Sequence, residues 1–184
     1  MHLRPDLVVE PLRGNVDTRL ARLEAPDGPE AVVLAAAGLE RLGRIAEAAE
    51  LLDPELFVPA VGQGALAIET RAGDERAISL AAAVDHQPSR YAVMAERSFL
   101  SAFGGGCSAP VAAHAIADGK KLTLQVFASD PDGLNAFRLT VKGAAKAAEE
   151  LGRKAARDLI ALGAVSLPPV DRSRRVPDRA AADD

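Results

Sequence analysis

The residues of this 184-residue chain best suited to chemistry are few and widely spaced. Its single cysteine, Cys107, stands directly behind three glycines in the stretch AFGGGCSAPVAAHA. A thiol kept for packing belongs within a periodic element, where it behaves as a small hydrophobe. This one follows the most permissive backbone in the chain, where a sulfur is accessible for covalent chemistry once ionised. Both readings stay open on the residues alone. Three arginines form a second set: Arg13 precedes a helix start, Arg19 lies in the first turns of that helix, and Arg41 lies early in the next. Singly, each is an ordinary solvated arginine with its stem on the surface. Together they lie near the ends of two strand–helix units, where α/β folds bind anions, and a guanidinium fork matches a carboxylate with two hydrogen bonds. The third set is Gly62-Gln63-Gly64. It reads either as a plain turn before a strand or as an amide offered to a ligand by backbone that lets the ligand come close. Glu69 and Glu96 read as a strand-end charge and a helix-surface charge.

Composition narrows what these residues can serve. The chain is 48% apolar, mostly Ala, Leu and Val, with 3% aromatic residues and no tryptophan, so its core is aliphatic and stacking platforms for single-stranded nucleic acid are not expected. A net charge of -4 argues against a general polyanion surface, and no nucleic-acid partner is expected. One cysteine closes no internal disulfide, and with His2, His86 and His114 scattered it offers no metal-ligand spacing, so no metal is expected. No apolar run approaches the ~20 residues of a membrane span, and the start MHLRPDLVVE lacks a signal-peptide pattern. A cytoplasmic, reducing location with no membrane partner is the expectation.

The elements that must position these residues can be read from periodicity. Leu7-Val8-Val9 reads as a short strand, and RGNVDTRLARLEA as a helix capped by Asn15 or Asp17, with Val16, Leu20 and Leu23 on one face. AVVLAAAG reads as a strand buried on both faces, and LERLGRIAEAAELL as the following helix. AVGQGALAIETRAG joins a glycine turn to a strand, and DERAISLAAAVD is helical. In SRYAVMAERSFLSAF, Ala92, Ala95, Phe99, Ala102 and Phe103 share a helical stripe that ends at Gly104. Beyond Cys107 the period becomes two. Leu122, Leu124 and Val126 share one face, as do Phe137, Leu139 and Val141, with turns at Asp118-Gly119 and Asp130-Pro131-Asp132-Gly133. This predicts a three-stranded antiparallel meander covered by a helix bearing Ala144, Ala148, Leu151, Ala155, Leu159 and Leu162. The proline-rich, charged end SLPPVDRSRRVPDRAAADD reads as a disordered tail. The fold class is therefore α/β followed by α+β.

Four motifs, LRGNVDTRLARL, VVLAAAGLERLG, PAVGQGALAIE and AERSFLSAFGGGCSAPV, in this order closely resemble the hydroxymethylbilane synthase (porphobilinogen deaminase) family of tetrapyrrole biosynthesis. The resemblance runs from Arg4 to about Gly163. It implies two α/β domains like those of periplasmic binding proteins, with the active site between them, and a small third domain of a sheet covered by helices. On that pattern residues 1–59 are the C-terminal part of the second domain, 60–85 a strand and helix returning to the first, 86–165 the cofactor-anchoring domain and 166–184 the tail. It implies a transferase that condenses four porphobilinogen units, with loss of ammonia, on one covalent dipyrromethane cofactor per chain, held by a thioether to Cys107. Arg13, Arg19, Ala35, Gly38, Gln63 and Gly64 match cofactor-contacting positions, and Arg19 and Arg41 positions that bind substrate. The partners implied are porphobilinogen and the growing linear tetrapyrrole, with the protein a monomer.

Family members carry further sequence upstream of RPDL, including the aspartate that stabilises positive charge on the pyrrole nitrogens, its lysine and serine neighbours and another arginine pair. The resemblance therefore implies a polypeptide truncated at its N-terminus, with no catalytic residue retained and inactive alone. The strand starting at Val61 would lack its neighbours and expose its edges. The alternatives are a non-catalytic module binding tetrapyrrole or another polycarboxylate, one half of a split enzyme joined by a separate N-terminal half, or a relic in which only the third domain folds.

Overall fold

The computed structural model describes residue 4 and residues 6–104, 109–130 and 133–165. The expected tail and the Pro131-Asp132 turn residues lie outside them, as does Cys107. The order is helix α1 (Val16–Leu23), helix α2 (Ala36–Arg41), a 3-10 turn (Ile45–Glu47), α3 (Glu75–Ala82), α4 (Gln87–Phe103), strands β1 (Val111–Asp118), β2 (Lys121–Ser129) and β3 (Ala136–Ala144), a second 3-10 turn (Ala145–Ala147) and α5 (Ala148–Ala161).

The C-terminal part follows its sequence pattern closely. The three strands form one antiparallel sheet in the order β1-β2-β3, with His114 opposite Gln125 and Leu124 opposite Val141. Alternation along β2 puts Leu122, Leu124 and Val126 wholly inside, against Phe99 and Phe103 of α4 and Leu151 and Leu159 of α5. Two small departures from the expected stripes stand out. Ala102 is exposed, and the α5 stripe starts from Ala145 rather than Ala144 and stops at Leu159, leaving Leu162 exposed. The helix ends there because Gly163, at φ +108°, is the left-handed residue after the cap. Its N–H bonds to Ile160 and that of Ala164 to Leu159, the paired closure of a Schellman end. α4 and α5 approach to backbone contact. A methyl group added at Gly152 would lie 2.3 Å from the Ala95 carbonyl oxygen.

The first half departs from the pattern. Leu7–Val9, the AVVLAAAG run and the segment after Gly64 were expected as strands, and none of them forms one. A strand exists through its ladder, and among the described residues the only ladders are those of the β1-β2-β3 sheet. Much of their apolar surface stands in solvent instead, with Val8 88%, Val33 64% and Leu66 77% exposed, while Val32 and Leu34 are half-buried. The long helix expected from LERLGRIAEAAELL is also cut to α2. Gly43, at φ +68°, ends it, its N–H bonding to Glu40 and that of Arg44 to Leu39. α1 forms as expected, and its cap is Asn15, whose Oδ1 accepts the Thr18 N–H at 2.8 Å.

Gly152→Ala tests the helix contact. Helix propensity alone would favour alanine by ~1 kcal/mol, yet the clash with fixed backbone should lower stability by about 1–3 kcal/mol, read as a reduced midpoint in chemical denaturation with an unchanged slope.

Candidate functional site

Small residues dictate where the chain can receive a ligand. A cleft of about 310 Å³ lies where α2 meets the turn at residues 61–66, and Ala35, Gly38, Arg41, Gln63 and Gly64 all line it. Two ordinary packing contacts border it: a methyl at Gly38 would lie 3.6 Å from Val16 Cγ2 of α1, and one at Gly64 3.8 Å from the Ala37 methyl. The turn itself is two overlapping tight turns. Gln63 N–H donates to Ala60 and Ala65 N–H to Gly62, with Gly62 at φ +72° and Gly64 at φ +80°. Residues separated by some thirty positions thus share one small-walled cleft.

Its polar equipment is one guanidinium, one amide and backbone. Among the described residues the Gly64 N–H has no hydrogen-bond partner, and Arg41 forms no ion pair, whereas Arg44, one turn on, is held by Asp17 at 2.6 Å and Glu47 at 2.6 Å. Those carboxylates, Glu47 foremost, raise the Arg44 guanidinium, and Arg44 in turn holds Glu47 below the usual glutamate range. Arg44 is thereby committed, and Arg41 is left able to take an external anion. Arg13 and Arg19 do not line the cleft. Arg13 is exposed before α1, and the half-buried Arg19 donates its Nε to the Gly14 carbonyl at 2.9 Å. Neither has a carboxylate partner among the described residues, a state shared by Arg71, Arg76 and Arg97, so it is location that distinguishes Arg41.

Cys107 lies outside the described residues, between α4 and β1 in chain order. Glu69 is exposed, as a simple surface charge would be. Glu96 is not the helix-surface charge expected. It is only 6% exposed, its Oε2 accepting the Gly62 N–H at 2.7 Å and its Oε1 the Ala115 N–H at 2.8 Å. Burial pushes its carboxyl above the ordinary glutamate range, while the two N–H donors and Arg97 pull the other way. Its only sequence signal was an acid flanked by stripe residues, with Ala95 before it and Phe99 three positions on. Among the described residues there is no group of three or more metal-ligating side chains, and no helix is long and apolar enough to cross a membrane.

Comparison with known proteins places this geometry. Residues 1–79 match the family model described as "Porphobilinogen deaminase, dipyromethane cofactor binding domain", and residues 90–161 match "Porphobilinogen deaminase, C-terminal domain". The chain is 48% identical over 169 residues to a porphobilinogen deaminase of Acidothermus cellulolyticus, covering 90% of this chain and 51% of the relative. It is 50% identical over 163 residues to that of Thermus thermophilus, covering 88% and 54%, and 46% identical over 163 residues to that of Moorella thermoacetica, covering 89% and 52%. The chain belongs to the porphobilinogen deaminase family. It spans about half the length of the curated relatives it matches.

The buried carboxylate gives stability a pH dependence whose sign can be worked out. Glu96 binds its proton more tightly folded than unfolded. Its unfavourable contribution is therefore absent below the unfolded value of ~4.5 and grows as pH rises through the folded one. Asp6, Glu47, Asp130 and Glu150, held low by their partners, act in the opposite sense and below their ordinary values. Stability measured from pH 4.5 upward should fall for the native chain relative to Glu96→Gln; parallel curves would contradict this assignment.

Proposed function

We propose that this polypeptide serves the hydroxymethylbilane synthase reaction of tetrapyrrole biosynthesis, a transferase activity, as the part that anchors the dipyrromethane cofactor and offers one wall of a carboxylate-binding cleft. The observation that carries this reading is the meeting of Ala35, Gly38, Arg41, Gln63 and Gly64 around one cleft, in a chain whose first 79 residues match the cofactor-binding domain of the family. The cleft suits the group. Alanine and glycine walls let a flat ring approach, and its volume is at the small end of the ~300–1,000 Å³ typical of ligand sites.

When bound, the dipyrromethane would supply the pyrrole carbon to which the first porphobilinogen is added with loss of ammonia, the later units following head to tail. The residues of this chain do the holding. The Arg41 guanidinium grips an acetate or propionate carboxylate, and the Gly64 N–H and Gln63 amide supply further donors. Arg13 and Arg19, which lie outside this cleft, serve carboxylates farther along the bound chain of rings. Cys107 would hold the group through a thioether, its thiolate forming the carbon–sulfur bond as the carbon–nitrogen bond of the aminomethyl group breaks and ammonia leaves. Residues 1–59 and 60–85 then belong to the family's cleft-forming α/β domains and 86–165 to its anchoring domain, with turnover of porphobilinogen dependent on groups supplied from the rest of the family's length.

A second reading, that the chain works as one half of a split enzyme, is favoured by the apolar segments around Val8, Val33, Leu66 and Ile68, all largely exposed. Their alternation and unpaired backbone suit addition to the sheets of a separate N-terminal half. A third, binding of a polycarboxylate without turnover, uses the same cleft.

Intact-mass measurement on chain produced in cells making porphobilinogen tests the anchoring. A mass increase matching two pyrrole units, with the aldehyde colour of a dipyrromethane, is expected in the native chain and should vanish in Cys107→Ser. Unmodified native chain would refute the anchoring role. In loaded protein joined to the rest of the family's length, Arg41→Ala should slow uptake of further porphobilinogen by about 10-fold to 100-fold.

A further inference from the structure

Strand β1 is the edge of its sheet, and the N–H groups it turns away from β2 need acceptors. Ala113 finds the carbonyl of Pro59 at 3.1 Å, as it would in a fourth strand. One step along, the 59–66 segment has turned away to form the cleft, and the next outward donor, Ala115, has no carbonyl to meet. The Glu96 side chain reaches from α4 into that gap, one oxygen taking Ala115 N–H and the other Gly62 N–H. A single buried carboxylate therefore substitutes for the missing backbone pairing and joins three parts of the chain: α4, β1 and the glycine turn that walls the cleft.

α4 and β1 are also the elements that precede and follow Cys107 in the chain. We propose that Glu96 is a positioning residue that fixes the Gly62-Gln63-Gly64 wall of the cleft to α4 and β1, the two elements between which the cofactor-anchoring cysteine stands in the sequence. The functional half of this inference rests on the anchoring role proposed above. Glu96 touches no reacting atom. Its task requires two acceptors back to back, which a carboxylate of this length provides. A glutamine in its place accepts one N–H and turns an NH2 toward the other, donor against donor. An aspartate is one methylene too short to reach both.

The test compares the native chain with Glu96→Gln, Glu96→Asp and Glu96→Ala, using residue-resolved amide hydrogen exchange and, separately, the rate of cofactor loading by intact mass. In Glu96→Ala, exchange at Gly62 and Ala115 should rise about tenfold or more, with Leu124 and Val126 in the central strand unchanged. In Glu96→Gln, one of the two sites should rise. Loading should slow about tenfold in both, with a partial effect in Glu96→Asp. Unchanged exchange at Gly62 in all variants overturns the clamp, and so does a uniform rise through the central strand, which is what a merely structural role gives. Lost protection at Gly62 with loading at the native rate overturns the positioning role. A native chain that never loads defeats the anchoring reading and the positioning role with it, while the clamp is still decided by exchange.

Discussion

An edge strand must do something with the donors it points outward, and here that requirement organises the molecule. The sheet has three strands and one helical cover, so β1 presents a row of N–H groups next to the least regular part of the chain. Pro59 answers one with backbone and Glu96 answers the next with a side chain. Each answer couples the well-packed C-terminal part to the cleft-forming turn, using bonds that the sheet needed in any case. The carboxylate is desolvated to do this, which works against its ionised form, yet both oxygens are occupied by backbone donors, the arrangement that makes a buried charge tolerable.

The two halves of the chain were unequally legible in the sequence, for a physical reason. Between Gln87 and Ala161 every element is stabilised by neighbours within the same stretch, so period-two alternation at Leu122, Leu124 and Val126 and the helical stripe through Phe99 translate directly into burial. The runs at Leu7–Val9, Ala31–Gly38 and Ala65–Glu69 have equally strong strand character, but strand propensity expresses itself only against a partner. A helix closes its hydrogen bonds within its own segment, and α1 and α3, with Asn15 and Asp74 as caps, form in the same region without a neighbouring strand.

Of the residues that line the cleft, Arg41 and the Gly62-Gln63-Gly64 turn stood out by type and position, while Ala35 and Gly38 were singled out only by the family resemblance. Glu96 was illegible because burial of an acid is decided by what lies across from it. The donors it serves, Gly62 and Ala115, are 34 and 19 residues away. Nothing in the local pattern of α4 announces that one face of that helix looks onto a strand edge.

A second tie between the halves has a different character. Arg138 of β3 donates to the carbonyls of Glu55 and Leu56, and Gln125 of β2 also donates to Glu55, while the guanidinium lies 5.9 Å from the centre of the Phe127 ring. All of this grip falls on main-chain oxygens. The side chains at 55 and 56 are therefore free to drift over evolutionary time without loosening it, whereas Arg138 must supply its donors from a fixed planar fork that lysine does not reproduce. The tie thus divides its evolutionary constraint unevenly, holding one side chain to a single identity while the segment it grips needs only a backbone.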